Sequence, residues 1–401
     1  MSTATPPVSS KLFGLFCLAS YLLSLSYGST FLLSLLIGSR GGNEQDAGSV
    51  ISAAMLSTFA AVIVSGHLSD WLGAARSVAL FGLLLVAASL GFALTPGFGH
   101  LLLLFGLLLG LGWGVFYTLG PIIVASLVTP AQRAKYFALL SGSMMTGIGS
   151  GPLLGRAASA LGYPVTAAFY LAALASFMGV LLFWRLDRQL KTAPAQSTVV
   201  SRISWHAAAR VLSSRAVFPI IMVGLGGCVF GGLSSFQTSY AAQRSLDYSL
   251  FFLGFMSAAI SGRLLIAGVV VKRDPLRASC LLSGLMLGSI LMFGFMVNDG
   301  FSYVLAAVML GIGYGLTYSV INGLAANEAP SGTTAQSLLL FSLSYFIGVF
   351  GFPLLAGKII VEHGMATLLL TVMAVASLNW LITVGRLTWR RITAVKALQR
   401  A

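Results

Sequence analysis

Twelve apolar runs, each long enough to cross a bilayer as a helix, fill most of this 401-residue chain. A helical crossing of the hydrocarbon core takes about 20 apolar residues. In the first half the runs are Leu12–Ile37, Ala47–Ser65, Ser77–Thr95, Leu101–Leu127, Tyr136–Ala160 and Val165–Arg185. In the second half they are Ala216–Tyr240, Leu250–Val271, Ala278–Val297, Phe301–Ala326, Ser337–Gly357 and Met365–Arg386. We number them spans one to twelve. They are about twice the length of barrel strands and do not alternate, so a β-barrel is excluded. Span one, 26 residues long, exceeds the roughly 7–15 residues of a signal-peptide core and is expected to stay in the membrane.

Composition closes off other classes. Charged residues make up 8% of the chain and hydrophobic ones 57%, with a mean hydropathy of +0.94. A soluble globular protein carries about one quarter charged residues, so a soluble enzyme, a nucleic-acid binder and a secreted disulfide scaffold all fit poorly. The expected class is an all-α integral membrane protein of twelve helices. The net charge of +14 reads as basic residues held on one side of the membrane rather than as a nucleic-acid surface. With both termini inside, cytoplasmic segments hold 18 of the 23 lysines and arginines, and Arg40, Arg156, Arg244 and Lys358 fall outside. The expected placement is a bacterial-type inner membrane with cytoplasmic termini.

The longest connection, 186–215, is basic and carries Pro194 and a Ser/Thr-rich patch. It divides the chain into an expected N-terminal six-helix bundle (1–185) and a C-terminal one (216–386), followed by a basic tail (387–401). The stretch from Trp205 to Arg215 reads as a short basic amphipathic helix at the membrane surface.

The two halves repeat each other. Span four reads Gly110-Leu-Gly112-Trp113-Gly114-Val-Phe-Tyr117, and span ten reads Gly311-Ile-Gly313-Tyr314-Gly315-Leu-Thr-Tyr318, the same pattern 201 positions later. Pro152-Leu-Leu in span five recurs at the same offset as Pro353-Leu-Leu in span eleven. Six plus six parallel repeats are the arrangement of transporters that alternate access to a midplane site.

Between spans two and three the chain reads Gly66-His67-Leu68-Ser69-Asp70-Trp71-Leu72-Gly73-Ala74-Ala75-Arg76. This resembles the signature loop of the major facilitator superfamily through Gly66, Asp70, Gly73 and Arg76, although a single arginine stands where the family carries more basic residues. Gly147, Gly151, Pro152 and Gly155 of span five resemble the superfamily's glycine–proline motif, with Arg156 replacing its final glycine. The arginine usual in span four of proton-coupled members is missing. The resemblance implies the two-bundle fold and secondary transport, with export suggested by the span-five motif. It also implies a conformational latch at Gly66, Asp70, Gly73 and Arg76, where an aspartate at a helix end can pair with Arg76 or face a helix dipole. A loop merely solvated by its charges is the plainer reading. Pro152 and Pro353, with Gly147, Gly151 and Gly155, are read as kink and packing residues.

The same resemblance directs attention to spans one, four, seven and ten as cavity walls. Span one offers Tyr21, Ser24, Gly28 and Phe31 on one face, with Tyr27 beside them; span four offers Trp113 and Tyr117. Span seven offers Phe230, Ser234 and Gln237, and span ten offers Tyr314, Tyr318 and Asn322 at steps of four. Packing or interface anchoring is the alternative reading for each aromatic. An aromatic and amide lining suits a semi-polar organic solute. Arg263, inside span eight, is either a counter-ion for a substrate carboxylate or phosphate, or bonded to a neighbouring helix. The candidate substrate residues are therefore Tyr27, Trp113, Tyr117, Gln237, Arg263, Tyr314, Tyr318 and Asn322.

None of the nine carboxylates falls mid-span, so no proton carrier is named, and protons or another counter-ion stay open as coupling partners. Cys17, Cys228 and Cys280 read as small packing residues. Met292 and Met296 form a soft-metal step in principle, although methionine is common apolar filler. No Walker A pattern is present. The expectation is a transporter for a small organic solute, not an enzyme. No cofactor, catalytic residue or nucleic-acid partner is expected, and the protein is read as a monomer in the lipid bilayer. Exchange or import of an organic anion through Arg263 is the alternative, and metal or metal-chelate transport a remote one.

Overall fold

In hydrocarbon every backbone N–H and C=O must be satisfied within the chain, and the described residues meet that demand with helices alone. The computed structural model describes residues 10–97, 99–128, 133–190, 204–266 and 274–398, and all regular structure among them is helical. Ten helices among the described residues are long and apolar enough to cross a membrane. One of them, Thr334–Thr393, joins spans eleven and twelve through Gly364, whose φ of +83° turns the chain. Span eight is the apolar helix Ser249–Ser261 continued by a π-turn, Gly262–Ile266. Its expected remainder, 267–271, lies outside the described residues, as do most of the Ser/Thr-rich patch and the basic residues Lys191, Arg202, Lys272 and Arg273. Over their described residues all twelve runs thus fall on helix.

The helix ends show why the boundaries lie where they do. Asn43 and Asp46 form a reciprocal capping box at the start of span two, Glu44–Leu72. Asp299 and Ser302 do the same for span ten, Gly300–Asn327, and Asp274 caps span nine, Pro275–Phe295, with Pro275 at its first position. Arg40 donates to the carbonyls of Phe92 and Ala93, at 2.7 and 3.2 Å, and so closes the far end of span three, Ala74–Leu94.

The chain divides into two compact units, Met1–Arg202 and Ile203–Ala401. Glycine sets the packing inside each. A Cβ on Gly28 of span one would stand 2.2 Å from the carbonyl oxygen of Ile148 in span five, and one on Gly147 would stand 2.2 Å from that of Tyr21. In the second unit a Cβ on Gly231 of span seven would stand 2.4 Å from the carbonyl oxygen of Val349 in span eleven. One on Gly348 would stand 2.2 Å from that of Gly224. Ile148 and Val349, like Gly147 and Gly348, are 201 positions apart, so the sequence repeat is also a repeat of contacts. Gly28, expected on a cavity stripe, is instead a backbone contact with span five, which confines that stripe to its neighbours.

The G-x-G-x-G pattern has the same explanation. Gly110 and Gly114 face span two at Ala54 and Ala61, while Gly112 between them faces span three at Phe81. Gly311 and Gly315 face span eight at Phe255 and Ala259, and Gly313 faces span nine at Met286. Glycines two apart lie on opposite sides of a helix, so spans four and ten are each wedged between two others. Buried hydroxyls add to this: Ser26, Ser89 and Ser176 join spans one, three and six.

Gly28→Leu should lower the thermal midpoint and the monodisperse yield of detergent-extracted protein, since overpacking costs at least about 1–3 kcal/mol. Gly14→Leu on the same helix, where an added Cβ meets nothing within 4 Å, should leave both near wild type.

Candidate functional site

In each unit a buried aromatic stack joins the first span to the fourth. In the first, the rings of Tyr27 and Trp113 lie 4.7 Å apart at 23°, and both residues are buried. Trp113 also contacts Tyr117, at 6.1 Å between centroids, and Tyr117 is the half-buried member of the expected set in this unit. In the second, Phe230 and Tyr314 lie 5.1 Å apart at 13° and are likewise buried. Span one thus meets span four through a stack, and span seven meets span ten in the same way.

Around the second stack the chemistry changes. Arg263 sits on the π-turn of span eight, its Nε donating to the carbonyl of Gly315 at 3.4 Å and its Cζ lying 5.6 Å from the ring centre of Tyr318. Tyr318 packs edge-on against Phe341 and Tyr345 of span eleven, each at 5.4 Å. Tyr345 is buried, and Tyr314 stands one turn before Tyr318 on the same face of span ten. Three phenols and one guanidinium therefore meet within a single unit. Such a group can hold a carboxylate or phosphate by charge and by hydroxyl donors. The position 201 residues before Arg263 is Val62, and the one before Tyr345 is Met144, so this polar group is a departure from the repeat.

Gln237 belongs to a second group. Span seven breaks at Ser235–Phe236, between the helices Val217–Ser234 and Gln237–Gln243. Gln237 Oε1 accepts from the Tyr303 hydroxyl at 2.6 Å. Tyr240, stacked on Tyr303 at 5.9 Å, donates to the Phe293 carbonyl at 2.7 Å. Beside the break, Ser234 Oγ, Gln237 Nε2 and Thr238 Oγ1 are buried and lack a hydrogen-bond partner among the described residues. Asn322, one turn beyond Tyr318, is half-buried.

Ion pairs tie helix ends within each unit. Gly73, with φ +86°, makes the turn between spans two and three, and Ser77 Oγ closes it on the carbonyls of Leu68 and Gly73 at 3.1 and 2.8 Å. Arg76 Nε then lies 3.4 Å from Asp187 Oδ2 near the end of span six, Thr166–Leu190. Gly66 is buried in span two and Asp70 is exposed in its last turn, beside His67 and Trp71. In the second unit Arg390 grips Asp274 through both guanidinium arms, Nη1 to Oδ1 at 3.0 Å. This hydrogen bonding holds the Asp274 carboxyl below the usual carboxylate range. Glu328 and Arg386 pair at 2.5 Å, with Arg386 over the Phe218 ring at 4.9 Å. Span three is thus tied to six with the arginine on three, and span nine to twelve with the arginine on twelve.

The sequence model described as Major Facilitator Superfamily matches residues 13–353. The chain belongs to the Major Facilitator Superfamily. It is a multi-pass membrane protein of this transporter superfamily. Solved structures of low sequence identity share its fold. The human organic anion transporter MFSD10 (TETRAN) has a TM-score of 0.70 at 16% identity, covering 94% of this chain and 100% of the other. A POT family transporter in complex with 5-aminolevulinic acid has 0.75 at 15%, covering 96% and 98%. The E. coli fucose:proton symporter FucP has 0.63 at 14%, covering 93% and 98%. No curated protein matches the sequence.

Within this superfamily fold, the expected site residues separate into three sets. Tyr27, Trp113 and Tyr117 gather in the first unit. Arg263, Tyr314 and Tyr318 gather in the second, with Asn322 one turn beyond Tyr318, and Gln237 stands at the span-seven break. Tyr345 and Asp187 were not among the expected residues. Tyr345 lies on span eleven, outside the four expected cavity walls, and no aromatic at the repeat position points to it. Asp187 is one of several charged residues at the end of span six, and only the folded chain selects it as the partner of Arg76.

Reversing Arg76 and Asp187 gives a direct check. Arg76→Asp alone should lower the thermal midpoint, and Arg76→Asp with Asp187→Arg should recover most of it. The coupling should be about 1 kcal/mol or less, because the arginine is partly exposed. Equal midpoints for single and double variants would deny the pair any stabilising role.

Proposed function

We propose that this chain is a secondary transporter that moves a small organic solute outward across a bacterial-type inner membrane by alternating access, as a monomer with both termini cytoplasmic. The orientation is supported by the distribution of basic residues, 18 of 23 on one side. The outward sense rests on the likeness of Gly147, Gly151, Pro152 and Gly155 to the exporters' motif. In the fold, Gly147 and Gly151 let span five touch the backbone of span one. Pro353 follows the π-turn Ile347–Gly351, where its missing N–H suits an irregular helix.

One observation favours a solute with an anionic group, carried outward or exchanged. Arg263 departs from the repeat and is gathered with Tyr314, Tyr318 and Tyr345. A charge within a span marks function by default. An organic anion transporter and a peptide transporter in complex with sulfate are among the structures that share the fold. The buried polar atoms of Ser234, Gln237 and Thr238 offer hydrogen bonds to a neutral part of the same solute. Tyr27 and Trp113 act as stacked packing, leaving Tyr117 and Asn322 with surface to meet a substrate. The coupling partner is a proton or counter-ion.

Arg263→Lys should keep part of the substrate affinity and Arg263→Gln should lose it. Removing one member of a desolvated charge pair costs roughly 2–5 kcal/mol, or about 30- to 4,000-fold. Substrate binding to purified protein, normalised to the folded fraction, reads this out; unchanged affinity in the Gln variant removes Arg263 from the site.

Gly66, Asp70, Gly73 and Arg76, with Asp187, form the conformational latch in this reading. Asp70→Asn should leave the folded yield intact and slow transport in sealed vesicles, because it alters the balance of two states and not the binding residues. Unchanged transport at equal protein would remove Asp70 from the latch.

A further inference from the structure

Among the described residues the second unit begins with a short helix that is not one of the twelve spans. Trp205–Leu212 is a separate amphipathic helix, and its residues divide into three stripes. Ala208 and Val211 are buried, and the helix packs on span eleven, where the N–H of Ser204 donates to Gln336 Oε1 at 3.3 Å. Trp205 and Leu212, seven apart and so on one face, are 84% and 48% exposed. Arg210 is exposed on the side of the helix away from Trp205 and Leu212, and Arg215 just beyond the helix is exposed as well.

Residues 213–216 alone separate this helix from Val217, the first residue of the span-seven helix. Four residues reach at most about 14 Å, so the helix lies at the level where the bundle leaves the hydrocarbon. A tryptophan–leucine face bared to water is unfavourable, whereas at the headgroup boundary it is the usual anchor. Arg210 and Arg215 complement negative charge.

We propose that the helix Trp205–Leu212 is an interfacial anchor for anionic phospholipid. Trp205 and Leu212 enter the acyl boundary, and Arg210 and Arg215 engage the headgroup phosphates. Span eleven, gripped on the other side of the helix, is thereby fixed in depth. The inference depends neither on the solute nor on the direction of transport.

The test uses the full-length protein in nanodiscs of phosphatidylcholine, titrated with fluorescent phosphatidylglycerol. Wild type should bind it in preference to labelled phosphatidylcholine. Arg210→Gln with Arg215→Gln should weaken that preference by roughly 30-fold, and the double Lys variant should keep most of it. Glycerol phosphate in solution should not compete; if it did, the site would be one for soluble phosphate and the lipid assignment would fall. Equal binding of the two lipids by wild type, or an undiminished preference in the Gln variant, would overturn the proposal. Should the Gln variant fold poorly, brominated acyl chains decide. They should quench a fluorescence component that Trp205→Phe removes, and the absence of such a component would also overturn the anchor.

Discussion

Backbone-to-backbone contact at glycine carries the rest of this structure. Between helices in lipid there is no hydrophobic gain to be had, since lipid tails are as apolar as leucine, and association depends on close packing and interhelical hydrogen bonds. Gly28 on Ile148 and Gly231 on Val349 bring spans one and five, and seven and eleven, within direct backbone contact. Gly110, Gly112 and Gly114, with their counterparts at 311, 313 and 315, set spans four and ten between two neighbours each. The stacks of Tyr27 on Trp113 and Phe230 on Tyr314 form across helices already placed by these contacts. An added methyl at any of these glycines would meet main chain or packed core, which has little room to yield.

On this repeated frame the two units differ in polarity. Val62 occupies in the first unit the position that Arg263 takes in the second, and Met144 the position of Tyr345. At these two positions one unit has a guanidinium and a phenol where the other has apolar side chains, which is the chemistry that the proposed anionic solute requires. The first unit presents its aromatics as packing, with Tyr117 half-buried at their edge. The ion pairs show a related inversion: the arginine stands on span three in Arg76–Asp187 and on span twelve in Asp274–Arg390.

Much of the fold was legible in the sequence because hydropathy and the 201-residue offset are one-dimensional signals. The twelve runs and the glycine pattern of spans four and ten needed no coordinates. Gly28 was misplaced on a cavity face because residue spacing tells which positions share a helix side, and not which neighbour that side meets. Tyr345 and Asp187 were invisible for the same reason: each acquires its role from a partner distant in sequence. The break at Ser235–Phe236 and the π-turns at Gly262–Ile266 and Ile347–Gly351 follow from local backbone geometry that apolar composition does not encode.

The most direct measurement is protein-dependent efflux from sealed proteoliposomes loaded with a cell metabolite extract, with no nucleotide present, followed by mass spectrometry of what leaves. The account predicts that a subset of small organic solutes exits faster than from protein-free vesicles, and that this subset is enriched in carboxylates or phosphates. Release without any solute preference, release that requires ATP, or a subset confined to cations would contradict it.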